Sequence, residues 1–490
     1  MTNNNYIKLL LGPLLAGIIY IFFDLNPENP LVTKMAAVAV WMAVWWLTEA
    51  VNLAITALLP MLLFPLLGIG DSKITAGQYM DPIIFLFIGG FIIAFAIERW
   101  GLHVRIALKI LMIVGTQPSR ILFGVMITSY LISMWLSNTA TTMMLLSAVF
   151  AVIYEIEQHL SDDKQRNKIA TALLIGLAYS ATIGGMATLV GTPTNMIFVR
   201  AYAEKFPDYT DMNFLSWSIA ALPISFLFLF AAFFLLKKMF LSRVEKVAVP
   251  SAYFSDAYSK LGRMSYEEKA VGTIFILTAI LWFTRADIDF GGFKMSGWEN
   301  IFPKSKFIHD STVAIAMALL LFLIPSAAEK GRALMTWKEA GKIPFDVVLL
   351  FGGGFALAKG VEISGLDEWL AAKLKFASTI NIYVFIFILC IVITFISEFA
   401  SNVASIQLMI PVLISLQKDM SVHPLLLLVP ATLAASLGFM LPVATAPNTI
   451  VFGSKRIKVR DMFRAGFLLD LIGVILITLL AMIAGTFLWK

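Results

Sequence analysis

Apolar residues dominate this chain in long runs that are separated by short polar stretches. An α-helix needs about 20 apolar residues to cross a hydrocarbon core about 30 Å thick, and many runs approach or exceed that length. The pattern therefore predicts an all-α polytopic membrane protein. The runs fall at 9–25, 31–48, 50–68, 83–98, 118–155, 168–200, 215–241, 270–284, 310–325, 345–359, 379–417, 424–452 and 463–489.

Two of these runs, 118–155 and 379–417, are too long for a single crossing and are polar in the middle. The first contains "LSNTATT" and the second contains "SEFASNVAS". A long apolar run with a polar midpoint predicts two half-length helices that meet at a tip, which is a re-entrant hairpin. We therefore expect about 11 transmembrane helices plus two hairpins.

Two further runs, 168–200 and 424–452, are interrupted by "GTPTN" and "ATAPN". Proline removes a backbone donor and breaks the helical hydrogen-bond ladder. Non-helical backbone at membrane depth persists only where it is buried in protein or lines a water-filled cavity. Each of these runs therefore predicts a broken helix with an unwound loop.

The hairpins and broken helices recur in one order, which indicates an internal repeat. Ser137-Asn138 returns as Ser401-Asn402 after 264 positions, and "FLFIGGF" returns as "LLFGGGF" at the same offset. "ATIGGMATLVGTPTN" returns as "AASLGFMLPVATAPN" after 253 positions. Five apolar runs separate the two Ser-Asn pairs. Because an odd number of crossings ends on the opposite side of the membrane, the second copy has the opposite orientation. The sequence thus predicts the inverted repeat found in many secondary transporters.

Composition and charge agree with a membrane protein. The 490 residues are 59% apolar and 14% charged, with a mean hydropathy of +0.86, whereas soluble domains are about 45–50% apolar and about 25% charged. The single cysteine, Cys390, excludes an intramolecular disulfide. The net charge of +6 comes from basic residues in loops, which orient membrane proteins. Their distribution predicts a cytoplasmic N-terminus and an external C-terminus in a bacterial inner membrane.

The interrupted segments are polar but contain no basic residue. Lys and Arg are absent from 121–163, 169–199, 376–417 and 419–454. Half-helix N-termini suit an anion, and unwound carbonyls with Ser, Thr and Asn oxygens suit Na⁺. If the substrate is a multivalent anion, it meets no fixed cation, and unpaired charge is costly in a low-dielectric pocket. Bound Na⁺ would complete the site, which favours cotransport.

These motifs resemble the signatures of the divalent-anion/sodium symporter family, the INDY-type carriers of dicarboxylates, citrate or sulfate. "SNTATTMM", "GTPTN", "SEFASNVAS" and "FMLPVATAPNTIVFG" carry the resemblance, which extends over roughly residues 80–490. It implies an elevator-type transporter that forms a homodimer, uses Na⁺ as its coupling ion and has no organic cofactor.

The resemblance also implies the site residues. The first sodium site would use Ser133, Ser137, Asn138 and the Gly191 carbonyl. The second would use Ser397, the Ala400 carbonyl, Asn402 and the Ala444 carbonyl. The substrate would meet Ser137, Asn138, Thr139, Thr192 and Pro193 from one half and Ser401, Asn402, Val403 and Thr445 from the other.

The implied domains alternate along the chain. A scaffold would comprise the first four helices with an interfacial arm and a later part that follows a cytoplasmic linker. A transport domain would comprise the hairpins, the broken helices and the helix after each. The order is scaffold 1–115, transport 116–241, linker and scaffold 242–378, and transport 379–490, with amphipathic arms at 99–114 and 363–377.

The sequence departs from the family pattern in two positions. Val403 replaces a Thr in the second motif, and Ala446 replaces a Pro in the second loop. Loss of one hydroxyl changes affinity by about 0.5–1.5 kcal/mol, so the departures affect the identity of the substrate more than sodium coupling. Glu398 is an intramembrane carboxylate beside this motif, which is a position where function is the default expectation. A structural role at the hairpin, as a paired or capping group, is the alternative.

The leading interpretation is a sodium-coupled symporter for C4-dicarboxylates such as succinate, malate or fumarate. The same mechanism with citrate or sulfate is one alternative, and a sodium-independent exchanger is another. An exchanger should place a basic side chain where Na⁺ would bind, and the interrupted segments have none. A passive channel would need a continuous pore rather than two closed hairpins. An enzyme would need a nucleophile–base pair or a metal cluster, and the sequence shows neither.

Overall fold

The protein is almost entirely helical, as the apolar runs predict. The computed structural model describes residues 3–158, 160–209, 211–242, 244, 252–289, 294–374, 379–420, 422–487 and 489. The first half contains α1 Asn3–Phe22, α2 Pro30–Thr48, α3 Leu53–Ala57, α4 Leu59–Leu67, α5 Ser72–Gly77, α6 Pro82–Arg99, α7 Leu102–Val114, α8 Pro118–Ser133, α9 Asn138–Gln158, α10 Asp163–Met186, α11 Pro193–Lys205, α12 Phe214–Leu236 and α13 Ala252–Lys260. The second half contains α14 Tyr266–Phe283, α15 Asp310–Leu323, α16 Trp337–Ala340, α17 Phe345–Ser364, α18 Leu366–Leu374, α19 Ile382–Phe399, α20 Asn402–Met420, α21 Leu425–Ala435, α22 Ala446–Phe452 and α23 Val459–Phe487.

A short β-ribbon lies in the loop between α14 and α15. Its strands, β1 Ile288–Asp289 and β2 Lys294–Met295, run antiparallel. Two strands of two residues cannot bury an apolar face of their own. Packing of helix on helix therefore forms the core of the described residues.

The chain is an integral membrane protein by the length and composition of its helices. Among the described residues, eight helical segments are long and apolar enough to cross a membrane, and four apolar helices are shorter. The count of about 11 crossings stays a prediction, because length and composition do not by themselves place a helix across a bilayer. The eight are Pro30–Thr48, Ser72–Arg99, Asn138–Gln158, Asp163–Met186, Phe214–Leu241, Phe345–Ser364, Ile382–Phe399 and Val459–Thr486.

Both over-long runs divide at their polar midpoint into two helices. The first run becomes α8 and α9, which are separated by residues 134–137. The Ser137 hydroxyl accepts the N–H of Ala140 at 3.2 Å and so caps the start of α9. The second run becomes α19 and α20, and Ala400 is extended between them. Each run therefore has the helix–break–helix form that a hairpin requires.

Both proline-interrupted runs are broken helices. The first comprises α10 and α11, with Thr192 extended immediately before Pro193. The second comprises α21 and α22, with Thr445 extended before α22. Residues 169–186 of α10 and all of α21 are buried. The first helix of each broken pair therefore lies in the interior of the protein, whereas the second unwound loop and the start of α22 are exposed at Val443 and Ala446.

The segments before the hairpins form short helices at both predicted arms. The first arm is α7 and the second is α18, and residues 375–377 of the second predicted arm lie outside the described residues. Gly101 and Gly365, again 264 positions apart, precede these helices with φ of +70° and +73°. Glycine adopts this left-handed conformation without a steric penalty. The order of elements from α6 to α12 thus recurs from α17 to α23, and the opposite orientation of the two copies stays a prediction.

Candidate functional site

Each hairpin tip holds a serine and an asparagine in the same contact. The Ser133 hydroxyl donates to Asn138 Oδ1 at 2.8 Å, and the Ser397 hydroxyl donates to Asn402 Oδ1 at 2.8 Å. Both serines are buried, whereas both asparagines are half-buried. Each tip therefore holds a buried hydroxyl and a half-buried amide oxygen side by side.

Each unwound loop is held by an asparagine that the sequence analysis did not single out. Asn195 Nδ2 donates to the Gly185 and Thr188 carbonyls at 3.1 and 2.8 Å. Asn448, which lies 253 positions later, donates in the same way to the Gly438 and Leu441 carbonyls at 3.0 and 3.1 Å. The sequence did contain a signal for this pair of residues, since each asparagine is the last residue of an interrupting motif, "GTPTN" or "ATAPN".

The bonds made by these two asparagines have a consequence for the loop carbonyls. Both side chains are fully buried. Because each carboxamide bonds at least two carbonyls of the segment before it, it fixes those carbonyls in place.

The first tip packs directly against the first loop. A Cβ atom on Gly185 would lie 2.3 Å from Asn138 Oδ1, so only glycine permits this approach. A Cβ atom on Gly191 would lie 2.6 Å from the Gly185 carbonyl oxygen. The Thr188 hydroxyl donates to the Met134 carbonyl and ties the loop to the tip. The structure thus brings together the residues predicted for the first sodium site.

The second tip packs against the second loop in a looser way. Gly438 again lies between them, but a Cβ atom there would be 3.5 Å from Asn402 Oδ1 and 3.5 Å from the Ala444 Cβ. The Ser397 hydroxyl also donates to the Ala435 carbonyl at 2.6 Å, where α21 ends. The residues predicted for the second sodium site therefore lie around one glycine as well.

The residues predicted for substrate binding flank these contacts. Thr192 is buried and Pro193 half-buried at the start of α11, and the Thr445 hydroxyl accepts the N–H of Asn448 at 3.3 Å. Thr139 and Ser401 are half-buried at the tips. Val403 is half-buried and packs against the apolar core. This position suits the two methyl groups of valine better than the hydroxyl of a threonine.

The two halves of the site meet directly. The Thr194 and Ser436 hydroxyls are hydrogen-bonded across the halves at 3.1 Å. The second loop is the more exposed of the two, since Val443 is 75% exposed whereas Gly191 is buried.

Neutral oxygens form this site. Among the described residues, no group of three or more His, Cys, Asp or Glu side chains is placed to hold a metal ion. Arg200, a basic residue in the middle of α11, bonds to Asp81 at 3.2 Å and to Glu204. Apart from Glu398, whose carboxyl oxygens accept the N–H groups of Met440 and Leu441 at the second loop, the tips and loops present oxygen dipoles and helix ends.

Ion pairs join α11 to α6 and α17. Lys205 pairs with Glu362 at 2.5 Å, and Lys359 pairs with Glu362 at 2.9 Å and with Glu204 at 3.7 Å. With the Arg200 pairs, these contacts form what we call the α11 ion-pair cluster. Its members are Asp81, Arg200, Glu204, Lys205, Lys359 and Glu362.

A cavity of about 460 Å³ borders the cluster at Asp81, Arg200 and Glu204. The cavity also reaches Leu189 of the first unwound loop. On its other side lies Arg285, which bonds to Asp310 at 2.6 Å. The cavity thus runs between charged side chains and the first loop.

Comparison with known families and proteins places the chain among transporters. The "Sodium:sulfate symporter transmembrane region" family matches residues 9–490. The sodium-dependent dicarboxylate transporter SdcS of Staphylococcus saprophyticus is 36% identical over 478 residues, which cover 96% of this chain and 90% of that protein. SdcS of Staphylococcus aureus strain bovine RF122 / ET3-1 is 37% identical over 481 residues, with the same coverage.

Two solved structures share the fold. The YdaH transporter of Alcanivorax borkumensis aligns with a TM-score of 0.56 at 14% identity and covers 99% of this chain and 98% of its own. MtrF of Neisseria gonorrhoeae, which is described among antimetabolite efflux pumps, aligns with a TM-score of 0.54 at 13% identity, with coverage of 98% and 94%. At these identities the likeness concerns the fold alone.

Proposed function

The chain belongs to the sodium:sulfate symporter family, and on that premise we propose that it is a secondary active transporter that couples Na⁺ to the symport of divalent anions. The substrates in this proposal are C4-dicarboxylates such as succinate, malate or fumarate. The staphylococcal relatives, which are named as sodium-dependent dicarboxylate transporters, support this choice over citrate and sulfate. The protein is a membrane transporter and not an enzyme.

The charge of the site is the observation that carries the proposal. Tips and loops offer hydroxyl, amide and carbonyl oxygens, and Arg200 is already neutralised by Asp81 and Glu204. A dianion in such a site needs positive charge from elsewhere, because an unpaired charge is costly in a low-dielectric pocket. Na⁺ is a hard cation that takes oxygen ligands of this kind. Bound Na⁺ therefore stabilises the anion, and the anion in turn stabilises Na⁺.

Each half provides one sodium site in this proposal. The first site uses the hydroxyls of Ser133 and Ser137, Asn138 Oδ1 and the Gly191 carbonyl. The second uses the Ser397 hydroxyl, Asn402 Oδ1 and the carbonyls of Ala400 and Ala444. The equal 2.8 Å contacts at the two tips support equal roles, since each holds a hydroxyl and an amide oxygen side by side.

The substrate lies between the two tips in this proposal. Hydroxyl, amide and backbone donors of both hairpins and both loops bind its two carboxylates. The bond between Thr194 and Ser436 supports a shared site, because it holds the two loops close together. The contributing residues are Ser137, Asn138, Thr139, Thr192, Pro193, Ser401, Asn402, Val403 and Thr445.

The transport step is an elevator motion within a homodimer. The moving domain comprises 116–241 and 379–490, and the scaffold comprises 1–115 and the later part of 242–378. The packing of α9 on α22 and of α12 on α23 supports the moving domain, and the packing of α6 on α15 and of α17 on α2 and α3 supports the scaffold. The contacts of α20 with α17 and α18 join the two domains. The chain lies in a bacterial inner membrane with its N-terminus in the cytoplasm and its C-terminus outside.

Uptake by the purified protein in liposomes tests the proposal. We expect radiolabelled succinate to accumulate when an inward Na⁺ gradient is imposed and not when choline replaces Na⁺. Unlabelled succinate, citrate and sulfate as competitors rank the substrates. Full accumulation in choline medium would overturn sodium coupling, and citrate or sulfate displacing succinate at lower concentration would overturn the substrate. Counterflow of labelled substrate against a preloaded unlabelled pool separates this carrier from a channel.

A further inference from the structure

A groove between the start of α8 and the end of α12 takes no part in the proposed function. Its volume is about 390 Å³. Arg120 and Lys237 line it, together with an apolar wall of three half-buried phenylalanines, Phe123, Phe230 and Phe233. No Asp or Glu is among the described residues that line it. The groove therefore combines two positive charges with an aromatic surface.

The two positive charges of the groove have no carboxylate partner in the described part of the chain. Arg120 and Lys237 are both exposed, and neither forms an ion pair with another described residue. Arg105 of the neighbouring helix α7, by contrast, is bonded to Glu268 at 2.7 Å. An anion that enters the groove would therefore meet two cations without displacing a carboxylate.

The aromatic wall joins the groove to the exposed apolar surface of α12. The ring centre of Phe123 lies 5.8 Å from that of Phe230 and 5.3 Å from that of Phe233. Lys237 Nζ lies 5.8 Å from the centre of the Phe233 ring, so charge and apolar surface are adjacent. The next residue, Phe234, is 59% exposed on a helix long and apolar enough to cross a membrane. The groove thus opens where the apolar surface of this helix meets its charged end.

We propose that this groove binds an anionic phospholipid, with the headgroup phosphate bonded to Arg120 and Lys237 and an acyl chain against the phenylalanine wall. Basic pockets between transmembrane helices bind anionic lipid headgroups, and guanidinium and ammonium groups bind phosphate through charge-assisted hydrogen bonds. A zwitterionic lipid also brings a positive ammonium group, and no carboxylate among the described lining residues is present to meet it. A soluble anion would leave the aromatic wall without a partner. The inference goes beyond the proposed function and does not rest on it, since lipid binding requires no transport.

The groove borders the turn that joins the first arm to the first hairpin. Val114, the last residue of α7, and Gln117, the residue before α8, line it together with Arg120. Gly115 in this turn has a φ of +100°, and a Cβ atom there would lie 3.3 Å from Arg120 Cδ. Arg120 therefore packs against the turn itself. A bound headgroup would hold α8, α12 and this turn together, at the boundary between the proposed scaffold and transport domain.

The second half of the chain does not repeat this combination of residues. The residue 264 positions after Arg120 is Val384, which is 51% exposed, and the residue 253 positions after Phe233 is Thr486. The counterpart of the lysine, Lys490, lies outside the described residues. The helices at this place are common to both copies, whereas the arginine and this phenylalanine belong to the first copy. The fold that the two copies share therefore does not require them.

Lipid binding to the purified full chain in detergent tests the proposal. Native mass spectrometry with phosphatidylglycerol, phosphatidylethanolamine or phosphatidylcholine of the same acyl chains measures the dissociation constant of each lipid. We expect one phosphatidylglycerol per chain to bind at least about tenfold more tightly than either zwitterionic lipid. Arg120→Gln and Lys237→Gln each remove hydrogen bonds to a charged phosphate, so each should weaken this binding about tenfold.

Arg460→Gln and Arg464→Gln are matched controls for the loss of one positive charge. These arginines near the start of α23 are also exposed and without an ion pair among the described residues, but they lie outside the groove. Both controls should keep the wild-type affinity for phosphatidylglycerol. Equal weakening in groove and control variants, or equal affinity of the wild type for phosphatidylglycerol and phosphatidylcholine, would overturn the proposal. Inorganic phosphate at millimolar concentration should not displace the lipid, and displacement would mean that the groove binds a free anion instead.

Discussion

Asn138 Oδ1 accepts the hydroxyl of Ser133 at 2.8 Å across the tip of the first hairpin. Both oxygens belong to the proposed first sodium site, so this hydrogen bond holds side by side two groups that would share the ion. The second tip repeats the arrangement with Ser397 and Asn402.

Replacement of these groups should impair sodium-driven uptake to two different degrees. Ser133→Ala or Ser397→Ala removes one neutral ligand, and at about 0.5–1.5 kcal/mol per hydrogen bond the Na⁺ concentration for half-maximal uptake should rise about 2- to 10-fold. Asn138→Ala or Asn402→Ala removes an oxygen shared by ion and substrate, and should abolish sodium-driven uptake in a folded protein. Uptake by proteoliposomes over a range of Na⁺ concentrations measures both. Wild-type uptake in either asparagine variant would refute the site.

Alanine at the two equivalent glycines should have unequal effects. In Gly185→Ala the new Cβ would lie 2.3 Å from Asn138 Oδ1, so the first tip must move. Overpacking of this kind destabilises by about 1–3 kcal/mol, and we expect lower thermal stability and loss of uptake. In Gly438→Ala the nearest atom is the Thr445 methyl at 3.3 Å, which can yield by a small shift. Equal losses in the two variants would contradict the asymmetry between the loops.

Val403→Thr should change the choice of substrate and not the choice of ion. The substitution restores a hydroxyl at a half-buried position of the second tip without changing the side-chain shape. One additional hydrogen bond corresponds to about 0.5–1.5 kcal/mol, which is enough to reorder succinate, citrate and sulfate as competitors. Competition assays with and without Na⁺ measure the order. An unchanged order would place Val403 away from the substrate.

Glu267 should make the stability of the protein fall as the pH is lowered through the acidic range. This residue precedes the apolar run 270–284, and hydrogen bonds from the N–H of Ala328, the Ser326 hydroxyl and the N–H of Ala327 lower its pKa to about 2. The stabilisation should be complete above the unfolded pKa of about 4.3 and should be lost as pH falls from there to about 2.

Glu267→Gln tests this contribution through thermal unfolding in detergent. The variant should be less stable than wild type at neutral pH, and the difference should shrink below pH of about 4.3. Ser326→Ala removes one donor and leaves the two N–H groups, so it should reduce the same effect without eliminating it. A difference between wild type and Glu267→Gln that stays constant down to pH of about 2 would exclude this role.

The local architecture was predictable from the sequence because it depends on short patterns. A polar midpoint in an over-long apolar run located both helix breaks, at 134–137 and at Ala400. Proline located both unwound loops, since it lacks the N–H that a helix needs. The offset of 264 residues even relates Gly101 to Gly365, whose φ values differ by only a few degrees.

The supporting contacts were not predictable, because they join residues that are distant in the chain. Asn195 and Asn448 were visible as the last letters of two motifs, but nothing local shows that their amides bond carbonyls 7 to 10 residues back. Glu398 lies on α19 and accepts the N–H groups of Met440 and Leu441, and only packing brings that helix to the second loop. Sequence periodicity identifies buried faces and leaves open which polar groups meet there.

The α11 ion-pair cluster makes the proposed motion sensitive to voltage. On α11, Arg200 and Lys205 outweigh Glu204, so this helix carries one net positive charge. On the other side, Asp81 and Glu362 outweigh Lys359, so one net negative charge stays with the scaffold. A displacement of α11 along the membrane normal would separate these charges. A potential of 100 mV contributes about 2.3 kcal/mol for one charge that crosses the whole membrane, and a proportionate part for a shorter displacement. The empty carrier would then feel the membrane potential even before Na⁺ or substrate binds.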